Sequence, residues 1–287
     1  MDRRIIDLYD EFTHTSLGRR KFLARLAELT GSMSAAVVFL PQLENDYSKA
    51  RVIGEGDTRI VEDYITYPGP QGDVRAYLAT PAGNGAFPAV IVIHENRGLN
   101  PHIEDVARRA ATAGYLSIAP DALSPLGGTP PDTDEARTRM RALDAELTQA
   151  NFLAAVSFAG THAQSTGRVG CVGFCWGGGM ANQLAVHSTE LHAAVAFYGR
   201  QPASEDAAKI RASVLLHYAG LDTRINRGIA DYEAALKAAG VDYTLYMYDG
   251  VNHAFHNDTS PTRYDEAAAR LAWQRTIAFF DAKLKEV

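Results

Sequence analysis

The feature that most restricts the fold of this chain is a repeated alternation of short apolar segments with amphipathic ones. Ala89–His94 (AVIVIH) is a continuous apolar run, as expected for a strand covered on both faces. The alternation predicts further strands at 115–119, 168–174, 191–198, 214–218 and 243–248, and helices at 103–113, 177–187, 229–239 and 265–284. Repeated strand–helix units predict an α/β fold with a mostly parallel sheet and helices on both faces.

Two other segments complete this outline. Residues 61–67 and 74–79 are predicted to form a hairpin around a turn at 69–72, and residues 133–161 to form one long helix or two. Ligands and catalytic groups of parallel sheets lie at the carboxyl ends of the strands. Polar residues that directly follow strands are therefore the first candidates for a functional site.

The composition excludes several classes of function. The formal net charge is −6, which argues against a general nucleic-acid binder because such a protein needs a basic face. Two cysteines provide neither a disulfide framework nor a four-cysteine zinc site. The sequence contains no phosphate loop, dinucleotide fingerprint or metal-ligand cluster, so neither an organic cofactor nor a metal is predicted.

The first 55 residues form an extension that has two interpretations. Residues 17–23 (LGRRKFL) resemble a twin-arginine export motif, but Arg25 and Glu28 interrupt the apolar stretch that follows, and no A-x-A cleavage site is evident. Apolar residues at helical spacing favour amphipathic helices instead: Ile5, Leu8, Phe12, Phe22, Leu26 and Leu29. We expect a helical extension of a cytoplasmic protein that does not enter a membrane; the alternative is a leader for export to the periplasm.

The motif most specific for chemistry is Gly173-Phe-Cys-Trp-Gly177, which follows an apolar strand and opens a helix. It has the form of the nucleophile elbow G-x-S-x-G, with Cys175 in place of serine. The turn is sharp and strained, so the positions two residues away must lack side chains. The alternative is a buried structural cysteine, which is the interpretation given to Cys171 in the preceding strand. The strand–turn–helix context favours the elbow.

An acid and a base follow in the order that this type of elbow requires. Asp222 lies in a turn after the strand at 214–218, and His253 lies after the strand at 243–248. Imidazole titrates near neutrality and can take the thiol proton, and the carboxylate can orient the imidazole. Taken alone, Asp222 is as well explained as a loop cap and His253 as a surface residue. His217, inside a strand, is predicted to be a core residue, and His256 to lie close behind the site.

A second polar motif, His94-Glu-Asn-Arg-Gly98, follows the predicted central strand. An oxyanion-hole loop belongs at this place in such a fold. The backbone N–H groups of Asn96 and Trp176 are the predicted donors to the developing oxyanion. Glu95 is predicted to point toward the thiol. The alternative interpretation is an ordinary polar loop at a strand end.

Taken together, these motifs resemble the dienelactone hydrolase (carboxymethylenebutenolidase) family over roughly residues 60–285, within the α/β-hydrolase superfamily. The resemblance rests on the run G-F-C-W-G-G, Glu95, Phe197-Tyr-Gly199, Asp222 in a G-x-D turn, and Asn252-His253-Ala-Phe255. It implies an α/β-hydrolase catalytic domain at 56–287 and the triad Cys175, Asp222 and His253. It also implies that Glu95 regulates the thiol and that Tyr198 lies near the site.

The sequence departs from the family pattern in its arginines. Members that act on dienelactone bind the substrate carboxylate with two arginines, one in a loop that corresponds to 122–131 and one four residues after the catalytic histidine. Here that loop has no arginine and the second position is Asn257. Arg97, Arg200 and Arg224 are candidate substitutes, because guanidinium groups suit carboxylates.

The sequence therefore predicts a hydrolase that cleaves a carboxylic ester or an (enol-)lactone through a thioester acyl-enzyme. A small-molecule ester or lactone is the expected partner, and neither nucleic acid nor membrane is. A broad carboxylesterase or a thioesterase on the same machinery is the alternative. A non-catalytic binder of small molecules is a third, against which the complete triad argues.

Overall fold

The computed structural model describes residues 1–49 and 52–285. Its centre is an eight-stranded sheet with the order β1-β2-β4-β3-β5-β6-β7-β8. The strands are β1 (Ile60–Gly69), β2 (Gly72–Pro81), β3 (Phe87–Ile93), β4 (Leu116–Pro120), β5 (Ser165–Phe174), β6 (Leu191–Phe197), β7 (Ser213–Ala219) and β8 (Tyr243–Tyr248).

The sheet is antiparallel at one edge and parallel elsewhere. β1 pairs with β2 and β2 with β4 in antiparallel register, whereas every neighbouring pair from β4 through β3 to β8 is parallel. The predicted α/β fold with a mostly parallel sheet is confirmed, as is the hairpin. β3 and β5 lie at the centre, so the loops that follow them meet above the middle of the sheet.

Ten α-helices are found among the described residues. They are α1 (Arg3–His14), α2 (Arg19–Thr30), α3 (Met33–Leu43), α4 (Pro101–Thr112), α5 (Thr133–Arg141), α6 (Ala145–Thr161), α7 (Trp176–His187), α8 (Thr223–Asn226), α9 (Ile229–Ala239) and α10 (Glu266–Phe280). Helices α4–α10 accompany the sheet, whose two faces carry two separate clusters of buried apolar side chains.

The structure decides between the two alternatives predicted for residues 133–161, and it shortens the predicted closing helix. The segment 133–161 is divided into α5 and α6, because Asp144 begins a new helix by accepting a hydrogen bond from the Leu147 backbone N–H at 2.9 Å. The closing helix ends at Phe280 and continues as a wider turn to Lys285. Because of this turn, the side chains of Leu284 and Phe280 both pack over Gly170 of β5. They fill the space that a side chain at Gly170 would need.

The first three helices form a small apolar cluster of their own. Its buried members are Ile5, Leu8, Tyr9, Phe12, Phe22, Leu26, Ala36 and Leu43. The rings of Phe12 and Phe22 stack with their centroids 4.3 Å apart. Five of the six apolar positions whose spacing predicted helices are buried in this cluster, and the sixth, Leu29, packs against it partly buried. The domain boundary at residue 55 stays a prediction.

Among the described residues, no single helix has both the length and the apolar composition needed to cross a membrane. The segments Arg19–Thr30 and Met33–Lys49 meet those two criteria together, but they are bent by 109° at their junction.

Candidate active site

The turn between β5 and α7 carries Cys175 in a strained backbone conformation. Its φ is 56° and its ψ is −112°, values that a residue with a side chain rarely adopts. A Cβ added at Gly173 would lie 1.9 Å from the Gly177 carbonyl oxygen, and one at Gly177 would lie 2.4 Å from the Ile93 carbonyl oxygen. The glycines therefore let the turn close on itself and let α7 start directly against the end of β3.

We expect Gly177→Ala to destabilise the protein by about 3 kcal/mol or more, since overpacking against backbone usually costs about 1–3 kcal/mol and here two carbonyl groups must move. The carbonyl oxygens of Ile93 and His94 would be 2.4 and 2.5 Å from the new methyl group. Gly179→Ala is the matched control, because its methyl group would meet nothing closer than 3.6 Å. Thermal unfolding of both variants checks this; equal melting temperatures would contradict it.

The predicted acid and base are in direct contact. His253 Nδ1 lies 2.5 Å from Asp222 Oδ2, and both side chains are buried. Asp222 begins the short helix α8, where its other oxygen accepts a hydrogen bond from the Ile225 backbone N–H at 3.1 Å. Burial raises the pKa of Asp222, but the charge and hydrogen bond of His253 outweigh it and leave this pKa below its usual value.

Burial also lowers the pKa of His253, yet the charges of Asp222 and Cys175 raise it to about 10. The Cys175 sulfur and a ring nitrogen of His253 lie within 4.8 Å of each other. His253 Nε2 is buried without a hydrogen-bond partner among the described residues. The structure thus brings all three predicted triad residues together, with the unpartnered nitrogen as the base available to the thiol.

A residue that the sequence did not indicate also touches the sulfur. His14, the last residue of α1, places Nε2 at 3.2 Å from Cys175 Sγ. Its ring packs edge-on against that of His253 at a centroid distance of 4.6 Å. The helical spacing of α1 shows which of its positions are apolar, but it carries no signal that the end of this helix reaches the elbow.

The cluster of His14, Cys175 and His253 is also the one group of described residues whose donor atoms are spaced to hold a metal ion. Nitrogen and thiolate ligands suit a borderline-soft divalent cation. The prediction that no metal takes part stays a prediction.

The predicted oxyanion-hole residues lie at the same cavity as Cys175, and their role as donors stays a prediction. Asn96 and Trp176 both line the cavity onto which Cys175 opens. Trp176 is the first residue of α7, where a backbone N–H has no acceptor within the helix. The loop with Asn96 is held from two sides: its side chain donates to the Thr13 carbonyl oxygen at 2.9 Å, and the His94 ring stacks on Trp176.

Glu95 does not make the predicted contact with the thiol. No hydrogen bond joins Glu95 to Cys175 in the described part of the chain. Asn257 donates to Glu95 Oε2 at 2.7 Å, while Oε1 is buried without a partner. The position that lacks the family's arginine thus turns the carboxylate toward the loop after β8, and its regulatory role stays a prediction.

A cavity of about 570 Å³ opens above Cys175. Tyr198, Arg200 and Arg224 line it, as two further arginines do, whereas Arg97 does not. Arg97 is buried and donates to the Tyr9 hydroxyl at 2.9 Å. As a candidate for binding substrate Arg97 was wrong, because α1 covers it. Tyr198 has a φ of 39°, and its buried hydroxyl has no hydrogen-bond partner within residues 1–49 and 52–285.

The other cysteine and histidines lie away from the cavity. His217 is buried between the hydroxyls of Thr276 and Tyr248, at 3.1 and 3.0 Å. His256 stacks on Phe174, behind the elbow. Burial raises the pKa of the Cys171 thiol to about 12, so this thiol stays protonated near neutral pH.

The chain has relatives among known proteins. Residues 74–284 match the model of the dienelactone hydrolase family. A protein of Methylorubrum extorquens named "putative carboxymethylenebutenolidase" is 31% identical over 96% of this chain and 96% of its own length. A protein of the same name from Salmonella typhi is 35% identical over 78% of this chain and 88% of its own length.

Solved structures show the same likeness. A "putative dienelactone hydrolase" from Klebsiella pneumoniae has a TM-score of 0.70 and 30% identity, and the match covers 77% of this chain and 98% of that one. A dienelactone hydrolase from Anabaena variabilis has a TM-score of 0.63 and 23% identity over 79% of this chain and 99% of that one, a likeness in fold.

Proposed function

Because this chain belongs to the dienelactone hydrolase family and is thus an ester- and lactone-cleaving hydrolase, we propose that it works by covalent catalysis at Cys175. In this mechanism His253 is the base and Asp222 holds its ring. The observation that carries the proposal is the position of the thiol. It lies at a strained turn, within 4.8 Å of a ring nitrogen of His253. In this ring Nδ1 is bonded to the buried carboxylate of Asp222, and Nε2 has no hydrogen-bond partner among the described residues.

The acylation step follows from these contacts. His253 takes the proton of the Cys175 thiol, a transfer that the raised pKa of His253 favours, and the sulfur then attacks the substrate carbonyl carbon. The negative charge that develops on the carbonyl oxygen faces the backbone N–H groups of Asn96 and Trp176. When the tetrahedral intermediate collapses, His253 passes its proton to the leaving alkoxide or enolate, and the acyl group stays on sulfur as a thioester.

The chemistry of the nucleophile limits the class of bond that is cleaved. A thiolate is expelled from a tetrahedral intermediate more easily than an amine, so amides revert to starting material. Alkoxides of activated esters, enolates of lactones and other thiolates leave readily. We therefore expect the substrates to be activated esters, enol-lactones or thioesters.

A panel of p-nitrophenyl esters, enol-lactones, acyl thioesters and anilides tests this choice. For one acyl group, kcat/KM for the ester is expected to exceed that for the anilide by about 10³-fold or more, equivalent to about 4 kcal/mol in the barrier. The member of the panel with the highest kcat/KM separates a lactonase from a broad esterase or a thioesterase. Absence of turnover with every ester, lactone and thioester would contradict the proposal.

The charge of the cavity favours an anionic substrate. The described side chains that line it include Arg137, Arg141, Arg200 and Arg224, and none of these described lining residues carries a carboxylate. The first two already donate to carbonyl oxygens at the end of α1. Arg200 and Arg224 are exposed and form no ion pair with any described residue, so their guanidinium groups are available to a carboxylate.

We expect Arg224→Ala to raise KM for an ester that carries a carboxylate by about tenfold, since a charge-assisted hydrogen bond contributes about 1.5–3 kcal/mol. The KM for a neutral ester of the same size is expected to stay unchanged. Arg227→Ala is the matched control, because Arg227 is exposed on the same segment but does not line the cavity. Equal effects of Arg224→Ala on the two esters would show that it does not bind the anion.

A further inference from the structure

Helix α1 is joined to each loop that carries the site. Arg3 donates to the Leu221 carbonyl oxygen at 2.6 Å and to Asn252 Oδ1 at 2.9 Å, the residues directly before the acid and the base. At the other end of the helix, the Thr13 carbonyl oxygen accepts from Asn96 in the oxyanion-hole loop at 2.9 Å. The helix is thus positioned by the same loops that position the triad.

Between these contacts, α1 is held by two ion-pair or hydrogen-bond contacts. Asp10 accepts from Arg263 Nη1 at 3.1 Å, and the Tyr9 hydroxyl accepts from buried Arg97 at 2.9 Å. These contacts fix the position of α1 and therefore the position of the side chain at its last residue.

That side chain is His14, and its tautomer follows from its surroundings. Nδ1 lies 2.8 Å from the Asp10 carbonyl oxygen, which can only accept a hydrogen bond. Nδ1 therefore carries the ring proton, and Nε2 has a lone pair directed at Cys175 Sγ, 3.2 Å away. While the sulfur holds its proton, this lone pair can accept a hydrogen bond from the thiol, and the proton itself is taken by His253.

The lone pair loses that partner in the acyl-enzyme, because acylated sulfur has no proton. His253, having passed its proton to the leaving group, also has a lone pair on Nε2, since Nδ1 is bonded to Asp222. A ring nitrogen of His14 and a ring nitrogen of His253 lie within 4.8 Å of each other, and both lie within that distance of the sulfur. A water oxygen with two hydrogen bonds of about 2.8 Å at its natural angle spans about 4.5 Å between its acceptors.

We propose that His14 is a further catalytic residue, which together with His253 holds the water that hydrolyses the acyl-enzyme. The inference rests on the covalent mechanism proposed above and concerns only its second half. His14 lines the cavity, so the water can reach this place from solvent.

In the proposed step, the bound water hydrolyses the thioester. The water oxygen bonds to the thioester carbonyl carbon while one of its protons moves to His253 Nε2 and the other stays in the hydrogen bond to His14 Nε2. The C–S bond of the resulting intermediate then breaks, and its electron pair returns to sulfur. His253 gives its proton to the sulfur, and the carboxylic acid leaves.

The electrostatics agree with a neutral His14 that accepts but does not compete for the proton. Burial, together with the positive charges of His253, Arg224 and Arg263, holds the pKa of His14 well below its usual value. In contrast to His253, this imidazole forms no hydrogen bond to a carboxylate in the part of the chain that the structure describes; its Nδ1 faces the Asp10 carbonyl oxygen. It therefore orients the water, while His253 remains the base that takes the proton.

The test compares His14→Ala, His14→Gln and His187→Ala in pre-steady-state reactions with a p-nitrophenyl ester. His187 is the control because it is also the last residue of its helix, but it is exposed away from the cavity. Release of p-nitrophenol reports acylation, and the later steady rate together with intact-protein mass reports deacylation. Thermal unfolding identifies any variant that does not fold.

We expect His14→Ala to slow deacylation by about tenfold or more and to accumulate acyl-enzyme, with acylation within about threefold of the wild type. The amide oxygen of His14→Gln can accept from the water near the place of Nε2, so this variant is expected to recover most of the deacylation rate. His187→Ala is expected to behave as the wild type.

Two results would overturn the inference: deacylation in His14→Ala at the wild-type rate, or an equal loss of acylation and deacylation in both His14 variants. The second would mean that His14 only supports the shape of the site. Neither result affects the proposed mechanism, which fails separately if the wild type forms no acyl-enzyme at all.

Discussion

Replacing Cys175 with alanine is expected to reduce kcat/KM for a p-nitrophenyl ester by at least about 10⁴-fold, the order of loss when a covalent nucleophile is removed. The remaining groups cannot substitute for the sulfur. His253 would have no nucleophile to deprotonate in acylation, and the oxyanion-hole donors would act only on direct attack by water.

Cys171→Ala is the matched control for this experiment. Cys171 lies in the same strand as the elbow, but it is buried and its thiol pKa is raised to about 12, so it provides no thiolate. Its variant is expected to keep the wild-type activity. Iodoacetamide is expected to label the wild type once and Cys175→Ala not at all. Full activity of Cys175→Ala would rule out covalent catalysis at this residue.

Asp222→Asn is expected to reduce kcat by about 10³-fold or more, because an amide can hold the imidazole in the wrong tautomer and cannot offset its positive charge. The protein should fold normally, since the remaining oxygen can still accept from the Ile225 backbone N–H that Asp222 bonds now. Asp249→Asn, at an exposed position after β8, is the control and should leave kcat unchanged.

The pH dependence of activity is a second measurement that tests Asp222→Asn. The proton on His253 is the one that passes to the leaving group, so activity is lost as pH rises through the pKa of His253. The charges of Asp222 and Cys175 raise the pKa of His253 to about 10 against the effect of burial. The wild-type alkaline limb is therefore expected near pH 10, and loss of the carboxylate charge should move it to lower pH. An unmoved limb would mean that Asp222 does not act on His253.

Much of the fold was predictable because its signals are local. The β3 sequence AVIVI is apolar throughout because both faces of that strand are covered, and each such run marked a strand. The elbow was predictable because its close approaches require glycine at 173 and 177. The order of nucleophile, acid and base followed from the strand ends alone, which is why the three residues were found together.

Two features of the site were not predictable, because they depend on packing between distant segments. His14 touches Cys175 across 161 positions of the sequence, and nothing in the spacing of α1 indicates where its end lies. Glu95 is held by Asn257, 162 positions away, rather than by the thiol. Arg97 was predicted to bind the substrate carboxylate because its sequence position gives no sign that α1 packs over it.

The central claim is that an acyl group passes through the sulfur of Cys175. It is tested most directly by acid-quenching the enzyme during the first turnover of a p-nitrophenyl ester and mapping the acylated residue by peptide mass spectrometry. The account predicts one acyl group per chain, on Cys175, released by hydroxylamine as a thioester. An acyl group on any other residue would contradict it. So would the absence of any acyl group from an enzyme that releases a burst of p-nitrophenol and turns over rapidly.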